Sequence, residues 1–207
     1  MKIFVTGTRG IPDIPGGVEK HCQELYPHIA SFGNEVTVAT RTPYVTDRRN
    51  AWNGVSLLHI FAPRIKSLEA IIHTFLAVFK ARFASTGPDI VHIHGVGPSL
   101  MVPFARLLGL KVVVTHHGPD YDRQKWGWGA KKMLRLGEYL GGKYANQVIV
   151  ISTVIADIIR RRCNRESNLI YNGVEVPVVS EKTDFLENFR VENNEFHSIG
   201  TTNNCYF

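Results

Sequence analysis

Short, continuously apolar runs recur along the whole chain, and they restrict its fold more than any other feature. They fall at residues 2–6, 35–40, 55–60, 89–94, 111–116, 147–151 and 168–171. Most are Val/Ile-rich throughout instead of alternating apolar with polar. Strands that read this way are buried on both faces, as in a parallel sheet covered by helices. Segments of helical period fill the gaps at residues 17–32, 67–85, 98–108, 127–144 and 153–162. In the first of these, Val18, Cys22, Leu25 and Ile29 form one apolar stripe, and Phe32-Gly33-Asn34 supplies a glycine stop. Strand and helix in repetition predict an α/β fold. The expected architecture is a Rossmann-like, doubly wound, mostly parallel sheet with right-handed crossovers.

Composition closes several other routes. A chain of 207 residues that is 44% hydrophobic can bury a core of ordinary size. Cys22, Cys163 and Cys205 are far apart and odd in number, and no CxxC occurs. That speaks against a disulfide framework and a structural zinc, and for a reducing compartment. The chain starts directly on a strand, with no charged and apolar leader, and no apolar run reaches the ~18 residues of a membrane span. The expected location is therefore cytoplasmic. A net charge of +6 fits a solvated basic surface, an anionic membrane face or a phosphorylated ligand. No basic run is interleaved with aromatics, so nucleic acid is not an expected partner.

The opening Val5-Thr6-Gly7-Thr8-Arg9-Gly10 runs a strand into a glycine turn, as dinucleotide sites do. The fingerprint then fails. Asp13 stands where a third glycine would let helix pack on strand. Pro12 and Pro15 keep the chain extended, so the helix starts only at about Gly16-Gly17. The second strand ends Ala39-Thr40-Arg41, without the acid that would hold a ribose. Tyr139 and Lys143 match the Tyr-x-x-x-Lys pair of short-chain dehydrogenases, but Gly141-Gly142 between them weakens a helix by roughly 1 kcal/mol per residue. A diglycine at the first turn instead bares backbone N–H groups, which with the helix dipole suit a phosphate or a sugar hydroxyl.

His92 and His94 are two apart on one strand and share a face. With no evident third ligand in the sequence, no metal is assigned. His94, His117 and Ser152 all fall at carboxyl ends of strands, where open α/β sheets bind ligands. Residues 125–143 mix Trp126 and Trp128 with Lys131, Lys132, Arg135 and Lys143. That pattern suits either a membrane interface or a packed helix with a basic outer face.

From Gly16-Gly17-Val18-Glu19 onward, the chain resembles a retaining glycosyltransferase of family 4 with the GT-B fold. More narrowly it resembles the bacterial, rhamnosyltransferase-like subset of surface-polysaccharide synthesis. Further segments carry the resemblance in order. They are Gly33-Asn34-Glu35-Val36-Thr37-Val38, Pro88-Asp89-Ile90-Val91-His92-Ile93-His94-Gly95 and Val113-Val114-Thr115-His116-His117-Gly118-Pro119-Asp120. Arg123-Gln124-Lys125-Trp126-Gly127, Val148-Ile149-Val150-Ile151-Ser152 and Ile170-Tyr171-Asn172-Gly173-Val174-Glu175 follow. The resemblance covers about residues 1–178, the N-terminal, acceptor-side half of such an enzyme.

The resemblance implies a nucleotide-sugar donor, a glycan or lipid-linked acceptor, and neither metal nor other cofactor. It implies His117 beside acceptor and sugar as the catalytic group, where a neutral imidazole can accept a hydroxyl proton or hold the sugar. Gly16, Gly17, Glu19, His94, Asp120, Arg123, Lys125, Ser152 and Asn172 are the expected substrate contacts. A lipid-linked acceptor would bring a peripheral contact at the inner face of the membrane. Residues 179–207 turn polar and are expected to be the broken start of a donor-side domain, with a short helix at 184–189 and a frayed end at 197–207. On that expectation the chain alone transfers poorly. Two other readings stay open: an acceptor-binding module that works with a separate donor chain, and an NAD(P)-dependent sugar oxidoreductase.

Overall fold

The computed structural model describes residues 1–65, 68–122, 124 and 126–173. The expected helix at 184–189, the tail and the domain boundary near 178 lie outside the described residues.

The described chain folds as one eight-stranded sheet in the order β3-β4-β2-β1-β5-β6-β7-β8. These are β1 (Lys2–Thr6), β2 (Glu35–Arg41), β3 (Ala51–Trp52), β4 (Val55–Ile60), β5 (Ile90–His94), β6 (Val112–His116), β7 (Gln147–Val150) and β8 (Asn168–Leu169). Every neighbouring pair is parallel except β3 with β4. The helices are α1 (Gly17–Ser31), α2 (Glu69–Phe83), α3 (Val102–Leu107), α4 (Trp128–Tyr144) and α5 (Thr153–Cys163). The predicted Rossmann-like α/β fold is the observed one.

Alternation along the strands divides the core in two. Ile3 and Val5 of β1 face Cys22 and Tyr26 of α1, with Val36, Val38, Val55 and Leu57 around them. Phe4, Val91, Ile93, Val112 and Val114 face the other way, against Val78, Ala81 and Ala105 of α2 and α3. Val5 pairs with His92 and Thr6 with Ile93, so His92 and His94 share the α1 face.

Two local features depart from the sequence reading. The expected helix at 98–108 is a 3-10 turn, Pro98–Met101, followed by the short α3. Pro103 has no N–H to give the Ser99 carbonyl, so the chain tightens there and Val102 donates to Ser99 instead. The β3–β4 hairpin was not foreseen. Its turn is Asn53-Gly54, both at positive φ, a two-residue signal that is legible in the sequence.

Helix α4 runs unbroken through Gly141-Gly142. These glycines lie where the helix meets its neighbours. A Cβ on Gly137 would fall 2.1 Å from the Val96 carbonyl oxygen, and one on Gly141 would fall 2.7 Å from Ser99 Cβ. Close packing offsets the intrinsic cost of glycine in a helix.

Candidate functional site

The strand order reverses between β1 and β5, which opens a crevice at their carboxyl ends. Gly7 directly follows β1 there at φ +99°, and a Cβ on it would lie 2.2 Å from the carbonyl oxygen of His94. Only a residue without a side chain lets the two strand ends come this close.

A chain of imidazoles lines this crevice on the α1 face. Thr115 Oγ1 lies 2.7 Å from His92 Nε2. His92 Nδ1 lies 2.9 Å from the Tyr26 hydroxyl, which also bonds His94 Nε2. His94 Nδ1 then lies 2.9 Å from His117 Nε2. His21, from the second turn of α1, closes the group, its ring centroid 5.1 Å from that of His117 and 5.8 Å from that of His94. The protons can be arranged in either sense along this chain, because each neutral ring donates at one nitrogen and accepts at the other.

The rings are held neutral. Burial pushes His92 and His117 down to about 3, and the neighbouring histidines add to it. His94 is pushed well below its ordinary value by burial and then by His92, His117 and His21. Burial lowers His21 as well. A ring with so low a proton affinity is a poor acceptor of a whole proton near neutrality. It is a good hydrogen-bonding partner for a hydroxyl.

The glycine loop is shaped from within. Glu19 is buried and folds back, accepting the Arg9 backbone N–H at 3.0 Å and the Thr8 hydroxyl at 3.4 Å. It holds the loop that leads to Gly16 and Gly17, both exposed at the start of α1. Ser152 caps α5 by accepting the Ile155 N–H at 3.3 Å. Asn172 is exposed beyond β8. Asp120 is half-buried and opens the 3-10 turn Asp120–Asp122. Arg123 and Lys125 lie outside the described residues.

The structure thus brings His94 and His117 together beside the glycine loop. Ser152 follows β7, and Asn172 lies beyond β8. Sequence reasoning missed His21 and Tyr26. Both lie on α1, with His21 one helical turn beyond Gly17, a spacing that could have drawn attention to it.

On the opposite face of β6, His116 points at α4. Its Nε2 lies 2.8 Å from Glu138 Oε2, which also accepts from the Tyr121 hydroxyl at 2.9 Å. Arg162 of α5 donates to Glu138 Oε1 at 2.7 Å. Burial alone would raise the Glu138 carboxyl, but the bonds from His116 and Arg162 hold it below its usual value.

The dinucleotide reading fares no better in three dimensions. Where an acid would hold a ribose stands Arg41, buried, donating to Glu69 at 2.8 Å and to the Gly7 carbonyl at 3.1 Å. Tyr139 and Lys143 do meet, with Lys143 donating to the phenol oxygen at 2.8 Å. The contact raises the lysine, and Tyr139 stands partly exposed on α4.

Among the described residues no helix is long and apolar enough to cross a membrane. Comparison with curated proteins gives no match. The profile of Glycosyltransferase Family 4 matches residues 15–177, a span that includes the diglycine and Asn172-Gly173. That span holds the histidine cluster, the helix that carries His21 and most of the sheet, and the chain belongs to Glycosyltransferase Family 4.

Proposed function

We propose that this domain is the acceptor side of a retaining GT-B glycosyltransferase of the rhamnosyltransferase-like, surface-polysaccharide subset. It receives a hexosyl or rhamnosyl unit from a nucleotide-sugar onto a glycan or lipid-linked acceptor. In this reading the reaction needs no cofactor, and a donor-side domain faces the strand ends. The observation that carries it is the His94–His117 pair, 2.9 Å apart, at the crevice where the strand order reverses. His117, half-buried and neutral, holds the acceptor hydroxyl or the transferred sugar through a ring nitrogen. The bared N–H groups at Gly16-Gly17 and the positive end of α1 face the donor phosphates.

A peripheral membrane contact belongs to the same reading. Trp128 is 74% exposed at the start of α4, with Lys132 Nζ 3.8 Å from its ring centroid. An aromatic with a cation beside it suits an anionic interface.

The test is a calorimetric titration of the chain with nucleoside-diphosphate sugars, oligosaccharide acceptors and NAD(P)H. Sugar-ligand binding that weakens about tenfold or more in His117→Ala is expected, from loss of a hydrogen bond in a partly buried site. Binding of NAD(P)H without binding of any sugar ligand would refute the assignment.

A further inference from the structure

We infer that His21, His94 and His117 form a binding site for a borderline divalent transition ion such as Zn²⁺, with one coordination position open to solvent. The three rings come from three separate elements: α1, the end of β5 and the loop after β6. One ligating nitrogen from each lies within 4.8 Å of the other two. Tetrahedral zinc with ligands at ~2.0–2.1 Å needs nitrogens ~3.3 Å apart. His94 Nδ1 and His117 Nε2 are 2.9 Å apart, so an ion seats after they part by a few tenths of an ångström.

The shell behind the ligands is already in place. His94 is fully buried, and its Nε2 is held by the Tyr26 hydroxyl, which is in turn held by His92. When Nε2 donates to Tyr26, the lone pair on Nδ1 points into the cluster. Metal-bound histidines are fixed in this way, through the ring nitrogen that does not bind the ion. His21 and His117 are only half-buried, which leaves an entry path and room for water or a ligand in the fourth position. A set of three imidazoles selects Zn²⁺, Co²⁺, Ni²⁺ or Cu²⁺ over Mg²⁺ or Ca²⁺, which prefer oxygen.

One consequence rests on the acceptor-side reading above. An ion seated on His117 Nε2, with the water or ligand in its open position, takes the space beside the ring where that reading puts the sugar, so Zn²⁺ should compete with acceptor or donor. Binding of the ion does not depend on that reading.

The test uses the full chain stripped of metal by a chelator. Zn²⁺ binding is measured by calorimetry, and Co²⁺ binding by visible absorption. One equivalent should bind, with the strong d–d bands of a four-coordinate Co²⁺ site and no thiolate charge-transfer band. His21→Ala should weaken binding at least about tenfold, and Tyr26→Phe about 10–100-fold. His21→Gln, which keeps most of the side-chain volume on a half-buried helix face, serves if the alanine variant loses its circular dichroism. Absence of binding, a thiolate band, or affinity unchanged in a folded His21 variant would overturn the site. Zn²⁺ that binds as expected but leaves sugar-ligand affinity unchanged would uphold the site and refute the placement of sugar at His117.

Discussion

His116 and His117 are adjacent in the chain, yet they end on opposite faces of the sheet and in opposite surroundings. His116 meets a buried carboxylate that is itself held by Tyr121 and Arg162. His117 meets other histidines: His94 at 2.9 Å, with His21 beside both. The period of two along β6 makes the split. Val112, Val114 and His116 look toward α3 and α4, while Thr115 and His117 look toward α1. A histidine beside a carboxylate ties helices to a strand. Histidines packed on each other and kept neutral leave ring nitrogens for a ligand. The two networks should therefore respond differently to acid and to substitution.

The largest difference is expected from pH. His92 and His117 sit at about 3 when folded, and so does His73, buried elsewhere under the sheet. The unfolded chain protonates these rings near pH 6.5. Between the two values the unfolded state binds more protons, so stability falls as pH falls. Each ring contributes up to about 1.4 kcal/mol per pH unit. Several rings together approach the total stability of a typical domain, about 5–15 kcal/mol. Glu138 acts in a lower window. Its folded value is depressed, so its contribution is present above the unfolded carboxylate value of about 4.3 and is lost as pH drops through the folded one. Urea midpoints measured from about pH 7.5 down to about pH 4.5 should fall steadily from about pH 6.5. A flat profile down to about pH 5 would show that the histidine cluster opens to water and titrates normally.

The next largest effect isolates the carboxylate side. Glu138→Ala strips His116, Tyr121 and Arg162 of their shared acceptor in a place only 2% exposed. A loss of about 3 kcal/mol is expected, at the lower end for a broken buried pair because Arg162 is half-exposed. Chemical denaturation reads it directly. A loss under about 1 kcal/mol would mean that the network is solvated and that the contrast between the two faces is false.

Much of this contrast is invisible in the sequence, for a physical reason. The strands, most of the helix boundaries and the α/β class follow from local period and composition, which the chain writes in consecutive residues. Val112–His116 reads as a strand from its own Val run. The partner of His117 does not follow in the same way. His94 lies on the neighbouring strand and His21 on α1, with four strands between it and β6 in the chain, and only the order β1-β5-β6 brings them together. Glu19 shows the converse. It sits in a recognisable Gly-Gly-Val-Glu stretch, yet its carboxylate turns inward to hold Arg9 and Thr8. Gly141-Gly142 weakens the helix expected at 127–144 when read locally, and the close approach of Gly141 to Ser99 and of Gly142 to Cys163 offsets that cost. Propensity is local, whereas sites are built by topology.

A smaller effect tests the histidine side alone. Tyr26→Phe removes the one hydroxyl that joins His92 to His94 and leaves two ring nitrogens without that partner, in fully buried surroundings. The expected cost is about 1–3 kcal/mol, with no cavity to add to it because the ring stays. If the loss matches that of Glu138→Ala, the hydroxyl bridge is as much a structural clamp as the carboxylate network.

The sharpest comparison is between the neighbours themselves. His116→Leu removes a buried bond to a carboxylate, and about 1–2 kcal/mol of stability should go with it. Sugar-ligand affinity should stay near that of the parent chain, because His116 lies behind the strand. His117→Gln alters a half-buried side chain at the mouth of the crevice, so stability should move by about 0.5 kcal/mol or less. Glutamine still offers one donor and one acceptor, but its amide is placed differently and lacks the ring that stacks on His94, 25° from parallel. Affinity for sugar ligands should fall while the denaturation midpoint holds. Paired denaturation and binding curves on the two variants decide it. If both lose stability alike and neither changes binding, the orphan cluster is packing, and the site must be sought at another strand end. A split, with stability lost at 116 and binding lost at 117, would show that one strand's alternation separates scaffold from site.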